Sequence, residues 1–100
     1  HSGYRAHLLF LWLPSPDLAV ARVAARVQQG GHNVPEATVR RRYESGLRNF
    51  FQVYLPVVDS WLLFDNSSRG GHKLIAQQMA GDDLFVANVE LWKTIREHYA

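Results

Sequence analysis

Residues 4–17 read YRAHLLFLWLPSPD, and this stretch decides the fold. Leu8 to Leu13 are six consecutive apolar residues closed by Pro14. A run this short and this apolar predicts a strand over Tyr4 to Leu13 buried on both faces, as in a parallel sheet covered by helices. Ser15 suits a helix N-cap, Pro16 the first helical position, and Asp17 complements the helix dipole. A helix is therefore expected from about Pro16 to Gln29, with Val20, Val23, Ala24 and Val27 as its apolar stripe. Arg22 and Arg26 lie one turn apart on a different face. Gly30-Gly31 stops the helix, because glycine readily takes the left-handed conformation at a helix end.

Working outward, Pro35-Glu36 starts a second helix. Val39, Tyr43, Leu47, Phe50 and Tyr54 recur at helical spacing and predict its core stripe, with Gly46 marking a kink or break and Pro56 ending the run. Ser60 to Phe64 (SWLLF) reads as a second short buried strand, and Asp65 to Gly71 as a loop. Lys73–Gln78 and Leu84–Val89 flank Gly81-Asp82-Asp83, which predicts a β-hairpin. Asn88 to Tyr99 closes the chain as a short helix packing Leu91, Trp92 and Ile95. The pattern is α/β, a βααβ unit followed by a β-hairpin and a C-terminal helix. Two near-continuous apolar strands are too few for a doubly wound sheet. Sheet partners are thus expected to be missing from the chain or supplied by a second copy, so the chain should self-associate.

The bulk composition fits one domain over residues 1–100. Apolar residues make up 47%, and three Trp, four Tyr and five Phe argue against disorder. The absence of cysteine excludes disulfides and thiolate metal sites and fits a reducing cytoplasm. The longest apolar run is too short to cross a bilayer. His1-Ser2-Gly3-Tyr4 has neither a starting Met nor a basic leader, as expected of a fragment or processed chain. The five histidines (1, 7, 32, 72 and 98) have no metal-ligand spacing, so no metal site is expected.

The net charge is only +2, yet residues 22–48 hold six arginines against two acids, Glu36 and Glu44. Within them, residues 22–43 read RVAARVQQGGHNVPEATVRRRY: two helices that aim cations at one glycine-containing turn. Phosphoryl transfer needs cations near the transferred group, and arginine's planar fork binds two oxygens at once. Placed on either side of a glycine hinge, such residues can close over a nucleotide. The plainer alternative is a solvated arginine face with Gly-Gly as a helix stop. Arg40 and Arg42 flank the apolar stripe of the second helix, while Arg41 points away from it. His32, in the turn, can donate to a phosphate, shuttle a proton or brace the loop. Asn66 follows a strand at the end where open α/β sheets bind ligands, and can touch a base or ribose or simply cap the strand. The phosphate loop Gly-x-x-x-x-Gly-Lys-Ser/Thr is absent, and Gly70-Gly71-His72-Lys73 lacks its spacing and its Ser/Thr. The Arg40–Arg42 cluster lies on one short helix with little aromatic interleaving and the net charge is small, which disfavours nucleic-acid binding.

LFLWLPSP, then RVAARVQQGGHNVPEATVRRRYESGLRNF, then WLLFDNS together resemble the C-terminal half of zeta-toxin-like P-loop kinases over about residues 4–96, in particular the Gram-negative chromosomal branch with its GGHxVP turn and following RRRY or RRF. The resemblance implies a partial P-loop kinase-like fold, with ATP and Mg2+ as cofactors of the complete family domain. It further implies a small-molecule hydroxyl as phosphate acceptor, a UDP-N-acetyl amino sugar in characterised toxins, and an antitoxin protein as a candidate partner. By motif, Arg26 matches the first lid arginine, and His32 or Arg40 takes the second lid role. Arg22, Arg42 and Asn66 fall on the nucleotide side, with Asn66 near the adenine. The family's phosphate loop and catalytic Asp lie in an N-terminal half that these residues do not include. The chain alone is therefore expected neither to catalyse transfer nor to hold nucleotide tightly.

Overall fold

The computed structural model describes residues 5–68 and 70–100. Strand β1 (His7–Trp12) leads into helix α1 (Pro16–Gln28) and helix α2 (Glu36–Asn49), which continues as one π-helical turn over Phe50–Tyr54. Strands β2 (Ser60–Asp65), β3 (Lys73–Gln78) and β4 (Phe85–Val86) follow, and helix α3 (Val89–Tyr99) closes the chain. The fold is mixed α/β: a four-stranded sheet in the order β1-β2-β3-β4 with three helices. β1 and β2 are parallel, from His7 opposite Ser60 to Trp12 opposite Asp65, and the later pairs are antiparallel. The helical crossover between β1 and β2 is the expected βααβ unit. The expected strand start at Tyr4 lies outside the described residues.

The alternation of side chains along a strand fixes which residues meet the helices. Leu8, Phe10 and Trp12 of β1 line up with Trp61 and Leu63 of β2 against α2 and α3. Phe50 is fully buried where the second helix meets the sheet, with ring centroids 5.1 Å from Phe10, 5.0 Å from Phe51 and 5.5 Å from Trp61. Trp61 stacks on Trp92 of α3 at 5.5 Å and 18°. Tilted and edge-on aromatic pairs of this kind add to the burial of their area.

Four sequence expectations are corrected. β1 is buried on one face only: Leu9 and Leu11 are 57% and 45% exposed, because no described helix covers that side of the sheet. Gly46 does not break α2, which runs on to Asn49; it sits close to the Phe10 ring, 3.9 Å from where a Cβ would stand. Tyr54 is 45% exposed. The π turn bonds the Leu55 N–H to the Phe50 carbonyl at 3.0 Å, so the residue five positions on, Leu55, packs on the core in place of the one four on. The hairpin's second strand is only Phe85–Val86, because the Asn88 side chain accepts from the Leu91 N–H at 3.1 Å and begins α3.

α1 starts as expected, with the Ser15 hydroxyl accepting from the Leu18 N–H at 3.2 Å. It ends in a Schellman motif. The Gly31 N–H donates to the Arg26 carbonyl at 2.9 Å and the Gly30 N–H to that of Val27 at 3.0 Å, with Gly30 at φ +97°. A Cβ on Gly31 would come within 2.9 Å of the Arg26 carbonyl oxygen, so this turn needs both glycines. The Val20, Val23, Ala24 and Val27 stripe faces α2, yet no residue of α1 is buried, since α2 is its main neighbour. The two helices form a hairpin that widens the molecule: its radius of gyration is 14.9 Å, against about 13 Å for a compact chain of this length.

Candidate phosphate-gripping site

Parallel pairing brings the carboxyl ends of β1 and β2 to the same margin of the sheet, where α/β folds bind ligands. The Asn66 N–H donates to the Trp12 carbonyl at 2.8 Å, which carries the pairing one residue past β2. Asn66 thus sits at that margin, beside a tight turn in which the Asp65 carboxylate accepts from the Ser67 N–H at 2.9 Å. The helical hairpin rises from the same margin. Tyr43, midway along α2, donates its hydroxyl hydrogen to the Leu13 carbonyl at 2.7 Å and fixes the hairpin to the end of β1.

Two adjoining concavities open around this anchor. One, about 230 Å³, lies between α2 and residues 10–13 at the end of β1; the other, about 320 Å³, lies between α1 and α2. Arg42 and Tyr43 line both, Arg26 lines the second, and no carboxylate lines either. Neither Arg26 nor Arg42 forms an ion pair among the described residues. Two cations of the crossover, one from each helix, therefore face the same open space without a negative partner.

The other predicted residues are deployed differently. The Arg40 guanidinium donates to Asp17 at 2.7 Å and to Glu36 at 3.2 Å, and the two carboxylates, Asp17 first, hold its pKa above the ordinary value. Arg40 is a tie between α2 and the start of α1. His32 is exposed in the turn at the far end of the hairpin, and Arg22 is half-buried on α1; neither lines the two concavities. Tyr43 packs against the core, as its place in the helical stripe predicts, but the spacing alone does not point to its hydroxyl at the site. The signal was its position directly after the arginine run, on the turn that faces Leu13.

Burial, followed by the nearby Tyr99 and Glu44, pushes the Tyr43 phenol up to about 12. Its folded pKa lies above that of an unfolded tyrosine, so its contribution to stability is complete below about pH 10 and is lost as pH rises toward 12. An alkaline ultraviolet titration should therefore show Tyr43 ionising last, after Tyr99, which burial and Glu44 also hold above the ordinary value, and Tyr43→Phe should remove that last phase. The same variant should lose about 1 kcal/mol with the Leu13 hydrogen bond.

Among the described residues no group of three or more His, Asp or Glu comes together. At the start of α1 the Ser15 hydroxyl accepts from the Leu18 N–H, and the Asp17 carboxylate already complements the positive end of the helix. No described helix is long and apolar enough to cross a membrane. The chain matches no known protein family, no curated protein and no solved structure.

Proposed function

We propose that the chain is the lid-bearing, last-strand portion of an ATP-dependent kinase of the zeta-toxin-like kind. Arg26 and Arg42 grip phosphoryl oxygens in the concavity between the two helices of the crossover. The observation that carries this reading is the pair of arginines with no acidic partner among the described residues, one from each helix of the crossover, sharing one concavity between the two helices. Negative charge spread over a transferring phosphoryl group is stabilised by such cations, and arginine forks supply two hydrogen bonds each. Arg26 keeps the first lid role, and Arg42 takes the second in preference to Arg40 and His32, since Arg40 is committed to Asp17 and Glu36. Asn66 is positioned for the base or ribose. ATP would supply the phosphate and a small-molecule hydroxyl would receive it, with a UDP-N-acetyl amino sugar as the acceptor the sequence resemblance favours.

The sequence lacks the Gly-x-x-x-x-Gly-Lys-Ser/Thr loop that cradles the β- and γ-phosphates, so grip without turnover is the expected behaviour. In a coupled assay with ATP, magnesium and a UDP-N-acetyl amino sugar, the 100-residue chain should produce no ADP above background. Clear turnover would contradict the assignment of the arginines as a lid lacking its catalytic half. The binding test distinguishes this reading from an inert arginine surface: Arg42→Ala should weaken ATP binding about tenfold, as expected for loss of a charge-assisted contact, whereas Arg41→Ala should leave it unchanged.

A further inference from the structure

Away from the helical hairpin, a separate concavity of about 360 Å³ opens at the amino end of β2. β2 contributes Trp61 and β3 contributes Gln78, directly opposite each other in the sheet register. The π turn adds Phe51, Gln52 and Leu55, and α3 adds Trp92 and Arg96. The volume falls at the lower end of the range of small-molecule sites, which are mostly apolar with a few convergent polar groups.

The walls are aromatic. Trp61 and Trp92 are 4% and 8% exposed and stack on each other, and Phe51 is tilted against Trp92 with ring centroids 5.6 Å apart. Both indoles are more than nine-tenths buried, yet neither N–H has a hydrogen-bond partner among the described residues, and neither nitrogen is sealed from solvent. A buried indole N–H ordinarily finds a partner. Here two donors stay open, and the open space that both rings line is this concavity.

The charge is of one sign. No aspartate or glutamate lines the concavity, and Ala100 completes its rim without an ion pair to Arg96. The Arg96 guanidinium stands 5.9 Å from the centroid of the Trp92 ring, close enough for attraction between a cation and an aromatic face. That contact holds the planar fork beside the pocket, and Arg96 forms no ion pair among the described residues.

We propose that this concavity binds a small planar aromatic acid, with its ring against Phe51, Trp61 and Trp92 and its carboxylate in the Arg96 fork. A guanidinium holds a carboxylate through two parallel hydrogen bonds, and the open indole N–H groups are further donors to an anion. The flat ring meets the aromatic walls in offset or edge-on contact. A cationic ligand would face Arg96 with no carboxylate side chain to answer it, and an aliphatic acid would forgo the ring contacts. The site shares no residue with the concavities of Arg26 and Arg42, so it stands or falls independently of the phosphate reading.

Nuclear magnetic resonance of the indole and arginine side-chain N–H groups during titration with naphthoate tests the site. Trp61, Trp92 and Arg96 should shift together, with a dissociation constant of about 1 mM or tighter. Trp12, opposite Asp65 and about 13 Å further along the paired strands, should stay in place. Neutral naphthamide and the non-aromatic cyclohexanecarboxylate should each bind at least tenfold more weakly. Arg96→Gln should weaken naphthoate binding about tenfold and leave naphthamide binding unchanged. Arg96 is exposed, so far-UV circular dichroism of this variant should match that of the parent chain. Absence of a saturable shift up to about 10 mM, equal binding of the acid and the amide, or movement of Trp12 in parallel with the other two indoles would each overturn the proposal.

Discussion

Phe50→Ala should cost about 3–5 kcal/mol, a large part of the roughly 5–15 kcal/mol that holds a small domain together. Phe50 is fully buried and is the ring through which β1, β2 and the π turn meet. Its removal leaves a cavity bounded by Phe10, Phe51 and Trp61, each attached to a different part of the backbone. Those parts cannot all move inward together, so little of the cavity should collapse. Urea denaturation followed by tryptophan fluorescence measures the loss directly, since Trp61 lies against the deleted ring. Tyr54→Ala provides the contrast: the same helix, four residues on, but facing solvent, with an expected loss below about 1 kcal/mol. Similar costs at the two positions would mean that the helix does not switch to π geometry at Phe50.

Replacing Arg26 and Arg42 together by Ala should abolish measurable binding of ATP. The sequence lacks the phosphate loop, so the chain's own affinity should be weak, on the order of millimolar. Each arginine contributes about tenfold, and the pair about a hundredfold, as expected for charge-assisted contacts to phosphate. Arg40→Ala should leave affinity unchanged, because that guanidinium is already shared between Asp17 and Glu36. Higher salt should weaken the wild-type binding, since both arginines reach an open concavity and remain subject to screening.

Element order was legible in the sequence because each boundary carried a local signal. Ser15-Pro16-Asp17 began α1, Gly30-Gly31 ended it, and Asn88 opened α3, and all three act through nearby backbone groups. What was not legible depended on long-range geometry. LLFLWL looked buried on both faces because its composition is apolar throughout, but composition does not say whether a second layer exists. The π turn altered the phase of the core stripe at Phe50 by one residue, which exchanged Leu55 for Tyr54 and left no mark in the spacing. In the arginine run, helical periodicity separated Arg41 from its neighbours but could not choose between Arg40 and Arg42. That choice came from Asp17, 23 residues away from Arg40, which reaches back across the hairpin.

Nuclear magnetic resonance of the arginine side-chain Nε–H groups during titration with ATP, and separately with tripolyphosphate, is the most direct test of the phosphate grip. Both ligands should shift Arg26 and Arg42 together, saturably, while Arg40 and Arg41 stay in place. ATP should additionally move the Asn66 amide. Shifts confined to Arg41 and Arg48, or none up to a few times the expected millimolar affinity, would contradict the account.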